Sequence, residues 1–360
     1  MDPLSLIPTP DTIPAPSWLF LVLDILTFTL HILVINIVLG GSLITLFSRF
    51  KNTKATLQDS LHGGVAAKIP ISFALGINLG VAPLLFLQVI YGHLFYASSI
   101  LLAIYWILII PLLIIAYYGA YVHIRKYDSG PLLSKLALFI TSIILLYIAL
   151  VFVNNMTLMA QPEKWTSYFK NSGGTILNLG DPTFFPRYLH FIIASVAIAG
   201  LFMAVVWSYR QKRNIEGAAE KVRNGLLIFA IATATQIIVG FWFLLSIPSE
   251  FIVQFMGQNL FFTIVLFLGI LMAIGALISA FLNKLIPTLI HLVVLILSMA
   301  INRANLRSLY LQDVFTLDRL ELSPQYGVMA LFFLVLIVGL IVVGYMLKVA
   351  FAPTERRVTS

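Results

Sequence analysis

The sequence predicts an all-α, polytopic membrane bundle of about nine transmembrane helices, with the N-terminus outside and the C-terminus inside. Three observations predict it. Of 360 residues, 60% are hydrophobic and only 10% charged, where a soluble domain carries about 25% charged residues. Nine apolar runs reach the roughly 20 residues needed to cross a bilayer. The basic residues also collect at the ends of alternate runs, which is the mark of membrane orientation.

The runs fall at about 18–47, 69–90, 97–123, 136–159, 188–208, 225–246, 258–282, 286–302 and 326–348. An odd number places the termini on opposite sides. With the N-terminus outside, the inner segments hold sixteen of the 22 Lys and Arg residues, and the outer ones hold only Lys164, Lys170, Arg187, Arg303, Arg307 and Arg319. The first run has no Lys or Arg before it, so it is read as a retained helix and not a signal peptide. The outer connections 160–187 and 303–325 are long, and the first is rich in aromatic and Pro residues, as a partner-docking surface requires. The inner segment 49–68, with Gly63 and Gly64, reads as a linker. No repeat or second soluble domain interrupts the chain, so 1–360 reads as one bundle.

The formal charge of +8 follows from this orientation and does not point to nucleic acid. There are no cysteines, which excludes disulfides, thiolate metal sites, iron–sulfur clusters and a covalently attached c-type haem of the chain's own. Redox chemistry would have to use His and Met ligands.

In a bilayer the informative residues are polar side chains stranded in apolar runs. His31 lies in the middle of the first run, His93 at the outer end of the second, His123 at the inner end of the third, His190 one turn into the fifth after Arg187, and His291 in the inner half of the eighth. A b-type haem held between helices needs one or two such side chains. Met256, at the outer end of the seventh run, falls at the depth of His190, so a His190/Met256 pair is geometrically allowed. His123 and His291 could pair near the inner face. Each lone His or Met has a plainer reading as a helix-bracing or packing residue. Asp24 is the only carboxylate within a run and lies near its outer end, which argues against ion-coupled transport. The pairs Gly40/Gly41 and Gly76/Gly80 permit close helix contact or a flat cofactor, with packing the plainer explanation.

At these residues the chain resembles subunit I of cytochrome bd-type quinol oxidases. DILTFTLHILVINIVLGG is similar to that family's first helix, and His31 falls on the ligand of its active-site haem. GINLGVAPLLFLQVIYGHLFYAS resembles a second family stretch, with Gly80, Pro83, Phe86 and Gln88 in order. PRYLHFIIASVAIAGLFMA resembles the helix carrying the low-spin haem ligand, on which His190 falls, and FIVQFMGQN resembles the segment of the opposite ligand, where Met256 stands.

The departures bear on function. Leu112 and Ala120 stand where the family has proton-path carboxylates, Ala300 stands at a glutamate ligand while Arg303 is kept, and the quinol-binding loop shrinks to SIPSEFIV. His93 has no family counterpart and is a candidate ligand for an additional haem or one supplied by a partner.

The resemblance therefore implies a b-type cytochrome subunit of a respiratory complex in the cell inner membrane. Haem b would sit between His190 and Met256 with Arg187 balancing propionate charge, and a second haem could sit at His31. Other membrane subunits and a periplasmic c-type cytochrome are the expected partners. Two readings remain open beside it: a terminal oxidase reducing oxygen at His31, and a haem-free transporter or anchor.

Overall fold

A computed structural model of the chain describes residues 6–51 and 63–351. Most of the predicted inner linker, with Lys54 and His62, therefore lies outside the described residues. The helices are α1 (Ser17–Lys51), α2 (Gly63–Ala66), α3 (Ile69–Leu101), α4 (Ala103–Ile107), α5 (Ile109–Arg125), α6 (Pro131–Met159), α7 (Phe184–Gln211), α8 (Ala218–Leu245), α9 (Ser249–Val253), α10 (Leu260–Phe281), α11 (Leu285–Leu311) and α12 (Tyr326–Phe351). Among the described residues nine segments, with α4 and α5 together forming one, are long and apolar enough to cross a membrane. The chain is an all-α multi-pass bundle in contact with lipid. Helices are the expected solution, because inside hydrocarbon each backbone N–H and C=O must be satisfied within its own segment.

Segment boundaries explain where the sequence expectation shifts. The second span does not end near residue 90. α3 runs to Leu101, and the reversal falls at Leu102 (φ −115°, ψ 30°). Pro83 lies inside α3, and Tyr91 leaves helical geometry (φ −130°, ψ 20°), so the helix bends without breaking. His93, expected at the outer end of the second span, is an in-helix residue two turns before that end. The eighth span likewise continues to Leu311, so Arg303 and Arg307 are helical and not loop charges. Buried partners hold that extension, as described below.

α1 is the centre of the bundle. It packs against α3 and α7; α7 packs on α8, α8 on α10, α10 on α11, and α5 on α6. The α1–α7 contact is backbone to backbone, since a Cβ placed on Gly40 would lie 1.9 Å from the Ser195 carbonyl oxygen. Gly200 and Gly225 allow the same approach between α7 and α8. α12 contributes no buried residue among those described, and Phe332 meets Phe86 at its edge.

The N-terminal segment returns to the start of α12, with Ile13 N–H donating to Glu321 O and Ser323 N–H donating to Ile13 O, each at 2.9 Å. This end, which also carries residues 160–183, is called the long-loop end below.

That segment is ordered by polar contacts. The Trp165 indole N–H donates to Leu158 O at 2.9 Å. Asp181 is buried and accepts from the Thr183 amide, the Thr183 hydroxyl and the Gln161 side chain, with Lys164 Nζ 3.7 Å away. Burial pushes its carboxyl up, but these donors outweigh it and hold Asp181 below the usual carboxylate range. A lowered folded value means this stabilisation is present above the unfolded pKa and is lost as pH falls through the folded one. Thermal unfolding from pH 7 to pH 3 should show an acid loss of stability that is smaller in Asp181→Asn.

Candidate functional site

The unusual feature of the long-loop half is buried cationic and polar atoms without partners. α11 carries Asn302, Arg303, Asn305 and Arg307 on an otherwise apolar helix. Arg307 donates to Asp24 Oδ2 of α1 at 2.9 Å, with both side chains buried. Its guanidinium also lies over the Tyr91 ring at 4.6 Å. Among the described residues Arg303 has no carboxylate within ion-pair distance; it lies over Phe28 at 4.3 Å and reaches Met156 Sδ at 3.4 Å. On α7, Arg187 donates to the Thr183 hydroxyl at 3.3 Å and lies over Phe243 at 5.0 Å. Arg307 and Arg303 thus share the carboxylate of Asp24, whereas Arg187 lies toward Asp181, to which Thr183 links it.

Thirteen buried side-chain N or O atoms have no hydrogen-bond partner among the described residues. Eight belong to Arg187 and His190 on α7, Gln236 on α8, and Asn302, Asn305 and Arg307 on α11. Buried polar groups in native proteins are nearly always paired. Such a concentration marks a place where water, an ion or a cofactor completes the structure.

The predicted ligands fall in and around this region with different surroundings. His190 has its Nδ1 buried and unpartnered, and its ring lies in the notch left by Gly240, whose added Cβ would meet Cε1 at 3.3 Å. Phe243 flanks it. His31 Nδ1 is 3.0 Å from Gly76 O, and the ring lies over Gly80, where a Cβ would approach Cε1 to 2.8 Å. A His whose Nδ1–H is held by a carbonyl presents Nε2 as a ligand; the same contact also braces α1 against α3.

Met256 sits on a π-type turn, Gln254–Gln258, made possible by Gly257 at φ +122°. Its side chain is 46% exposed, so packing does not hold the thioether against His190. The two share a neighbourhood, because Phe243 beside His190 and Phe255 beside Met256 belong to one apolar cluster. His93 has a buried, unpartnered Nε2 and lies edge-on to Phe315 at 4.6 Å, apart from this cluster.

The suggested inner pair is not brought together. His123 of α5 bonds Ser134 of α6, whereas His291 of α11 fits against Gly275 and Ser279 of α10. The glycine pairs of the sequence reading serve contact: Gly40 on α7, and Gly76 and Gly80 on α1.

Sequence reading missed Arg303, Arg307, Asn302 and Asn305 as site residues by placing the first two in a loop. The i, i+4 spacing of Arg303 and Arg307 in AINRANLRSLYL was the available signal.

No protein-family model matches the chain, and no curated protein sequence matches it. The class it defines is that of a multi-pass helical membrane protein with buried arginines on two of its spans and two glycine-seated histidines.

Proposed function

We propose that the chain is a membrane-bound b-type cytochrome subunit that transfers electrons through haem at the long-loop end. The observation that carries the reading is the buried pair of Arg303 and Arg307 against the one carboxylate of Asp24, with Arg187 one turn before the unpartnered imidazole of His190 on α7. A buried guanidinium without a counter-charge is costly. A flat apolar group bearing two carboxylates supplies the missing negative charge and an iron for the imidazole. The residues suit such a group: His190 offers an unpartnered ring nitrogen, and Arg187 and Arg303 are buried cations able to pair with carboxylates.

Bound haem supplies a one-electron carrier. The chain's own residues would do the rest: His190 would hold the iron, the arginines would fix orientation and raise the potential by their charge, and the apolar side chains around Phe243 would exclude water. His31, with Nδ1 directed to Gly76 O, would hold a second haem in this reading, and Met256 would join His190 in holding the first.

The charge bias supports an inner-membrane location with the long-loop end outside, where a c-type cytochrome or another membrane subunit exchanges electrons. Because the chain has no cysteine, Ser172→Cys on the exposed 160–183 segment should react with an impermeant maleimide in intact cells, and a cysteine at Lys212 should not. The opposite pattern would reverse the orientation.

The ligand reading is tested by haem content. His190→Ala should lose the low-spin haem, while His291→Ala, in its separate contact with α10, should keep the wild-type haem-to-protein ratio. Equal retention in both variants would remove His190 from the site.

A further inference from the structure

Arg187 and His190 stand one turn apart on α7 and meet the same ring of α8. The Arg187 guanidinium lies 5.0 Å from the Phe243 centroid, and the His190 ring lies 6.4 Å from it. Cation and imidazole therefore share one face of α7, as their i, i+3 spacing requires. What holds the guanidinium there is a chain of contacts that starts outside the membrane-spanning segments.

Lys164, on the 3-10 helix Pro162–Phe169, places Nζ 3.7 Å from Asp181 Oδ2 and donates to Asn178 Oδ1 at 2.7 Å. Gln161 donates to the same Asp181 oxygen. Asp181 Oδ1 accepts from the Thr183 amide at 2.8 Å and from the Thr183 hydroxyl. With its proton committed to Asp181, Thr183 Oγ1 is left as an acceptor, and Arg187 Nη2 donates to it at 3.3 Å. Asp181 and Thr183 are 5% and 2% exposed, so these bonds are shielded from solvent. Asp181 makes no direct ion pair with Arg187; the hydroxyl of Thr183 is the link.

We propose that Asp181 and Thr183 are positioning residues that fix Arg187 beside His190 and so set the redox potential of the haem His190 would hold, an inference that rests on the cytochrome reading above. The two act differently. Thr183 supplies orientation, because its one hydroxyl is donor to Asp181 and acceptor from Arg187. Asp181 orients that hydroxyl and adds a fixed negative charge that opposes the guanidinium. A cation held near the iron favours the reduced form, since reduction adds an electron, and an anion disfavours it. Asp181 also caps the start of α7 through the Thr183 amide, a purely structural role that would leave the potential unchanged.

The test is a redox titration of the purified full-length protein, read at the haem absorbance. Thr183→Val, near-isosteric and without a change of charge, should lower the midpoint potential by releasing Arg187, and Thr183→Ser should restore it. Asp181→Asn keeps an acceptor oxygen and should raise the potential. Glu163→Gln, which removes an exposed carboxylate of the same segment outside this chain of contacts, should not shift it. A second readout needs no haem: in thermal unfolding, Thr183→Val combined with Arg187→Met should lose less Tm than the sum of the two single losses, because either change alone breaks the same bond. Wild-type potentials in haem-loaded Thr183→Val and Asp181→Asn would overturn the inference and leave the cytochrome reading standing. Additive Tm losses would overturn it as well. A wild-type protein without haem would overturn the cytochrome reading and this redox role together.

Discussion

Asp24→Ala should lower the stability of the bundle by about 3–5 kcal/mol, the cost of breaking a buried ion pair by removing one partner. Asp24 and Arg307 lie on the first and eighth membrane-spanning helices, 283 positions apart in sequence, and both are buried with 2.9 Å between them. Removing the carboxylate leaves Arg307 and Arg303 without the negative charge they share. A second substitution distinguishes repulsion from packing. In Asp24→Leu combined with Arg307→Met, most of the lost stability should return, because buried pairs replaced by apolar residues of similar volume are often neutral in energy. Chemical denaturation of the detergent-solubilised protein reads both variants. A loss under 1 kcal/mol for Asp24→Ala would mean that the pair is not buried in the folded bundle.

Gly40→Ala should be nearly as damaging, although it adds one methyl group. The new Cβ would lie 1.9 Å from Ser195 O and 2.8 Å from Val196 N. The obstacle is backbone, so no rotamer change relieves it. α1 and α7 would have to separate, at a cost of about 1–3 kcal/mol or more for overpacking. These two helices carry His31 and His190, so the same variant should lose haem. Gly339→Ala on α12, where an added Cβ meets nothing within 4 Å, is the matched control and should be unchanged or slightly stabilised by the better helix propensity of Ala.

The contrast between these glycines shows what the sequence makes legible. Apolar run length and the sidedness of Lys and Arg identify the helices from local composition, and helical backbone follows because lipid offers no other hydrogen-bond partner. The ends were less legible. The second apolar run fades near residue 90, where polar and aromatic residues interrupt it, yet α3 continues through Tyr91 and His93 to Leu101, with Tyr91 packed on Phe315 and Arg307.

Arg303 and Arg307 failed for the same reason: a charge beyond an apolar run reads as a loop residue unless its distant counter-charge is known. Asp24 was noticed as a lone carboxylate near a helix end, but nothing local pairs it with a residue 283 positions away. His31 and His190 could be singled out because an imidazole in an apolar run is conspicuous. Met256 could be aligned in depth, but its exposed position on a π-type turn depends on Gly257 adopting φ +122°, which periodicity does not encode.

Whether the buried arginines and His190 frame a haem site is decided by a reduced-minus-oxidised optical spectrum of the purified wild-type chain, with the haem extracted and counted against protein. A low-spin b-type signal with non-covalently bound haem at one or two per chain is expected. A preparation that retains its fold and contains no haem would contradict the haem reading, and the buried arginines would then have to be neutralised by another anionic ligand.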